Sequence, residues 1–150
     1  MSTQPIRIEQ VMPWGRSMDE YVRLFALAPE DLQRNILSCA DGPASFNAET
    51  TALGHRVTSV DPVYAFTTEQ IRTRIAETRN VILANTEQHR DAYLWDAIRD
   101  LDALEAVRMA AMERFLKDFE VGKAEGRYIE GAWPELSFDD DAFDLVVCSH

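Results

Sequence analysis

The feature that most constrains this chain is the run ILSCADGPASFNAETTALGHRVTSVDP, residues 36–62. It opens on a short apolar segment, Ile36-Leu37-Ser38-Cys39-Ala40, flanked by polar residues, the pattern of a strand covered on both faces. Asp41-Gly42-Pro43-Ala44 follows as a turn. Gly42 supplies backbone freedom and lets a ligand approach, and Pro43 forbids a continuous helix through this point. Residues 45–53 read as a helix, with Phe46, Glu49 and Leu53 at helical spacing, small Ala48 and Ala52 for close packing, and Gly54 at the C-terminal cap. Residues 56–60 alternate and are β-branched, so they read as a second strand that Asp61 ends and Pro62 stops. Such a unit implies a parallel pair with a right-handed crossover, and ligands of such sheets bind at the carboxyl ends of the strands. Gly42 and Asp61 both fall there. The alternative is an α/β domain in which they merely make turns.

A chain of 150 residues suits one domain with a sizeable core. Its net charge of -11 argues against a protein that grips nucleic-acid backbones, which needs clustered Lys and Arg. It favours a small-molecule or protein partner. No apolar run approaches the roughly 20 residues needed to cross a bilayer. The opening MSTQPIRIEQVMPWG lacks the basic and apolar regions of a secretory signal, so the expected location is the cytoplasm. Cys39 and Cys148 both lie in apolar strand-like runs and are expected to be buried thiols. His55, His89 and His150 are scattered, and no metal-ligand spacing is present.

Ser17 with Glu20 forms a capping box that opens a helix over residues 18–27, with Tyr21, Leu24 and Phe25 on one face. That helix either packs on the domain or acts as a lid. Residues 63–126 are helical and far longer than a minimal crossover, the pattern of an insertion or cap. Thr67 with Gln70 and Asp102 with Glu105 read as further capping boxes. The second would open a helix reaching Val121, with Leu104, Val107, Ala111, Phe115 and Phe119 as its apolar stripe; Met109 and Met112 are core or pocket lining. Residues 127–130 suggest a third strand, and residues 131–141 a loop. Asp139, Asp140 and Asp141 in that loop read as a solvated turn rather than a metal site. Residues 143–148 read as a buried strand, central in a parallel sheet. A sheet that stops there is expected to be completed by a partner chain or by a longer domain, and truncation is the favoured expectation.

Three segments in this order resemble the class I S-adenosylmethionine-dependent methyltransferases: ILSCADGPASFNAE, RVTSVDP and LSFDDDAFDLVVCSH. The first is similar to the family's glycine-rich motif after strand one, the second to its strand two with the ribose-binding acid. The third looks like the loop leading into its strand four. The resemblance implies a doubly wound, mostly parallel Rossmann-like α/β sheet of methyltransferase type, truncated after strand four, as a single incomplete domain over residues 1–150. It implies S-adenosyl-L-methionine as cofactor. Ala40, Asp41 and Gly42 would approach its methionine part, Asp61 its ribose hydroxyls, and Pro62, Ala132 and Trp133 its adenine. Cys148, Ser149 and His150 would sit beside the methyl donor, with His150 a candidate base. The methyl acceptor would be a small molecule, with a homo-oligomer or partner on the open sheet edge. The sequence departs from the family at Ser38, which stands where strand one usually carries an acid. It departs again at Ala40 and Ala44, in place of flanking glycines, and at Ala132, in place of an acid. The alternative function is a non-catalytic binding or interaction module on the same scaffold.

Overall fold

The computed structural model describes residues 6–10, 13–88, 95–132, 136 and 138–149. In chain order they form α1 (Met18–Leu24), β1 (Asn35–Cys39), α2 (Phe46–Ala52), β2 (Arg56–Val60), α3 (Thr68–Gln88), α4 (Trp95–Ala124), β3 (Tyr128–Ile129) and β4 (Leu145–Cys148). The four strands make one sheet in the order β3-β2-β1-β4, parallel throughout. This is a Rossmann-like α/β arrangement. The order reverses between β1 and β4, which makes their carboxyl ends the switch point of the sheet.

Period two along the strands decides what lies on each face. Ile36, Val57 and Val147 pack with Tyr21 and Phe46, so α1 and α2 cover one face. Tyr128 pairs in register with Ser59 and packs against Met112, Phe115 and Phe119, which brings α4 to that same face and α3 against α4. The opposite face carries Leu37, Cys39, Val60 and Ile129, with Leu136, Phe138 and Phe143 packed against it. Among the described residues no helix lies on that second face.

Local signals placed several helix ends. Ser17 and Glu20 form both halves of a capping box at α1, and Thr67 and Gln70 exchange the equivalent bonds ahead of α3. Asp102 and Glu105 open nothing, since α4 runs through them from Trp95 to Ala124. The S/T/D-x-x-E pattern arises by chance in a helix this rich in good helix formers, and with no Gly or Pro before it nothing interrupts the run. The buried stripe of α4 is also displaced. Ala111, Met112, Phe115, Leu116 and Phe119 are core, whereas Leu104 and Val107 are 38% and 45% exposed. On α1 Leu24 is exposed while Tyr21 is buried. Cys39 is a buried free thiol as expected, but Cys148 is exposed. The reason is topological: β4 is an edge strand of the described sheet, and Val146 and Cys148, in register with Leu37 and Cys39, lie on the face that no described helix covers.

Candidate functional site

β1 ends in a turn that doubles back on itself. Ala40 has φ 58° and Gly42 φ 53°, both left-handed, a conformation that costs a residue with a Cβ about 1 kcal/mol and glycine almost nothing. Ala40 is held there by its amide, which donates to Val60 O at 2.8 Å, and by its carbonyl, which accepts from Ser149 Oγ at 3.1 Å. Among the described residues a Cβ built on Gly42 would meet nothing nearer than Asp61 Oδ2 at 4.0 Å, so the outer side of this glycine is bare of them.

Asp61 follows β2. Its Oδ2 accepts from the Gly42 amide at 2.9 Å and its Oδ1 from the Val63 amide at 2.8 Å. The second bond caps the 3-10 turn Pro62–Ala65, which Pro62 starts. Tyr64 in that turn is buried, and its hydroxyl donates to Gly42 O at 2.8 Å. The glycine turn is thus tied to the end of β2 through both its amide and its carbonyl.

Asp41 behaves differently. Its side chain points back under the turn, 3% exposed, instead of outward. Oδ1 accepts from Tyr21 Oη at 2.6 Å and from Ser38 Oγ, and Oδ2 accepts from Ser59 Oγ at 2.6 Å. Ser38 and Ser59 are register partners in β1 and β2, so period two delivers both hydroxyls to the same face. Burial raises the Asp41 carboxyl above its ordinary 3.8, and the three hydroxyl donors only partly oppose this. Burial, then the neighbouring Asp41 charge, raises the Tyr21 hydroxyl as well.

At the end of β4, Ser149 Oγ lies 3.3 Å from Tyr21 Oη, and Arg16 Nη1 donates to Ser149 O at 3.3 Å. Gly15 lies so close to the Pro43 carbonyl that a Cβ would be 2.1 Å from it. The segment before α1 and α1 itself therefore seat directly on the switch point.

The structure brings Ala40, Asp41, Gly42, Asp61 and Pro62 together. Cys148 pairs in register with Cys39 on the far side of β1. Ala132 is exposed after β3, and no described contact joins it to Asp61. Trp133 and His150 lie outside the described residues. Sequence reasoning missed Tyr21, Ser59 and Tyr64. The signal for Ser59 was present, because a hydroxyl at the same in-facing phase as Ser38 in two buried strands demands a buried acceptor. Nothing in the sequence distinguished Tyr21 from an ordinary core aromatic. Among the described residues no group of three or more His, Cys, Asp or Glu is arranged to hold a metal, and no helix is long and apolar enough to cross a membrane. Asp139, Asp140 and Asp141 are exposed in a turn.

No known family profile matches this chain, and no solved structure matches it. It is similar to an uncharacterized protein of Methanocaldococcus jannaschii, with 27% identity over 150 residues. The alignment covers 97% of this chain and 65% of that protein, so the chain spans about two thirds of its relative's length.

Proposed function

We propose that this chain forms the cofactor-binding part of an S-adenosylmethionine-dependent methyltransferase acting on a small molecule. The observation that carries the reading is the pairing of Asp61 with the Gly42 amide at 2.9 Å, beside the switch point. It brings an acid at the end of β2 and a glycine turn with a bare outer side to one crevice. The donor set fits the cofactor. A carboxylate at the end of β2 can accept the paired hydroxyls of a ribose diol.

When bound, the cofactor supplies the electrophilic methyl group. The chain's own residues bind and orient. Asp61 would hold the ribose, the turn at Ala40 and Gly42 would present backbone to the methionine end, and Pro62 would border the adenine. α1 would exclude water from the mouth of the crevice through Tyr21. Activity of the whole protein, whose relative is longer, is part of this proposal.

A non-catalytic module is the second reading. It is favoured by Asp41, whose oxygens are taken up by Ser38, Ser59 and Tyr21 beneath the turn. Calorimetric titration of the complete chain with S-adenosylmethionine decides between them. Binding is expected, and Asp61→Ala should weaken it on the order of tenfold to a hundredfold, as for hydrogen bonds to a charged group. Absence of binding at about 1 mM cofactor, a concentration that reveals even a weak complex, would leave the module reading standing.

A further inference from the structure

Between α1 and α4 lies an open hollow of about 450 Å³ lined by Arg16, Glu20, Arg23, Leu24 and Leu104. Its charge runs against the molecule as a whole, which carries 26 acidic against 15 basic side chains. Glu20 is already engaged: Oε1 faces Arg108 Nη2 at 3.2 Å and Oε2 accepts from the Ser17 amide at 2.8 Å. Arg16 and Arg23 make no ion pair with any described residue. Arg16 Nη1 donates to the Ser149 carbonyl and Arg23 Nε to the Asp19 carbonyl, both neutral. Behind them Arg108, 8% exposed, sits 5.3 Å from the Trp14 ring, and its buried Nε has no hydrogen-bond partner. Two arginines thus line the hollow beside Glu20, whose carboxylate a third, Arg108, already pairs.

The hollow also has an apolar wall. Leu24 and Leu104 are among the exposed large apolar residues of the chain, and both line it. On α1 Leu24 is more exposed than Met18, Tyr21 and Val22, and on α4 Leu104 continues an exposed apolar edge with Val107. Through Arg16 the hollow joins the Ser149 end of β4, the strand that forms one side of the switch point.

We propose that this hollow binds the anionic group, a carboxylate or a phosphate, of an amphipathic small molecule, with Arg16 and Arg23 taking the charge and Leu24 and Leu104 the apolar body. Resting on the methyltransferase reading, it is where the methyl acceptor is anchored, next to the cofactor crevice rather than in it. A locally basic hollow is what an acidic protein needs to admit an anion that its overall field repels. Guanidinium groups suit either oxyanion because their fork matches both.

The test uses the complete chain, with inorganic phosphate and hexanoate titrated separately, and compares it with Arg16→Gln/Arg23→Gln. One of the two anions should bind, weakening as salt rises from about 50 to about 300 mM and the Debye length shrinks. The double variant should bind roughly fivefold to tenfold more weakly, the loss expected for two exposed charge contacts. Arg23→Gln alone, at an exposed position that leaves the Arg16–Ser149 contact intact, should give part of that loss with an unchanged fold. Preference for phosphate would assign a phosphate ester, and preference for hexanoate a carboxylic acid. Neither anion binding at about 20 mM, or equal binding by the variants, overturns the proposal. S-adenosylmethionine titrated into Arg23→Gln, which leaves the Arg16–Ser149 contact in place, should bind as in the parent. If it binds neither protein, methyl transfer falls while the anion result still decides the hollow.

Discussion

Two carboxylates on the same face of the sheet are satisfied in opposite ways. Asp118 on α4 receives Arg127 at 2.7 and 2.8 Å in a bidentate pair, plus the Tyr128 hydroxyl at 2.7 Å. Arg127 also donates to Asn47 at 2.8 Å, which ties α4, β3 and α2 together. Hydrogen bonds and charge from Arg127 pull the Asp118 carboxyl below its ordinary 3.8, overcoming burial. Asp41 has three hydroxyls and no cation, and its carboxyl is raised. Charge neutralised by charge fixes a scaffold and ignores the protonation state near neutrality. A carboxyl held by neutral donors can exchange a proton without losing its place. The first arrangement belongs under β3, away from the crevice. The second sits beneath the turn where a ligand would lie.

The contrast can be broken by mutation. The largest effect is expected at Arg127, because removing one member of a largely buried pair strands the other. Arg127→Met should cost about 2–3 kcal/mol, read as a shift of the urea midpoint. A loss below about 0.5 kcal/mol would mean the pair is too solvated to matter.

A smaller effect, but of opposite sign with pH, separates the two acids. Asp118 has a lowered carboxyl, so its stabilisation is present above the unfolded value of 3.8 and is lost as pH falls through the lower folded value. Asp41 has a raised carboxyl, so the folded state holds its proton more tightly and stability falls as pH rises from 3.8 through the higher folded value. Measured as parent minus variant, Asp118→Asn should therefore give a difference that grows with pH on the acid side, and Asp41→Asn one that shrinks. Near neutrality Asp41→Asn should cost about 1 kcal/mol or less, since relief of a desolvated charge offsets a lost hydroxyl bond. Parallel slopes for the two variants would erase the distinction drawn here.

The smallest effect sharpens rather than breaks the comparison. Tyr21→Phe removes one of three donors to Asp41 and should cost about 1 kcal/mol. Hydrogen exchange should find the loss concentrated in α1, because Tyr21 is its buried tie to the switch point. Uniform loss across the sheet would show that α1 and the sheet open as one unit.

Much of the fold is legible in the sequence. The glycine turn, both strands around it and the capping boxes at Ser17 and Thr67 follow from local chemistry that tertiary packing did not override. Asp61 is legible as a strand-end carboxylate before a proline, a position that also suits the N-cap role it takes at Pro62–Ala65. The displaced stripe of α4 was not legible. Leu104 and Val107 keep helical spacing with Ala111 and Phe115, and only the path of the neighbouring elements decides which phase is covered. Asp41 was half legible: its position was evident, but the inward turn of its side chain depends on Tyr21, 20 residues away in sequence and on another element.

The pairing of β1 with β4 has a consequence for the order of assembly. β1, α2 and β2 are consecutive, so they can associate as soon as they leave the ribosome. The Ser149–Ala40 bond that closes the crevice joins residues 109 apart, across the whole helical insertion. Closing so long a loop is entropically slow and comes after local structure. The β1–β4 seam is therefore expected to close after the β1–α2–β2 unit has formed, and a ligand that bridged the two strands would act as a clasp on it.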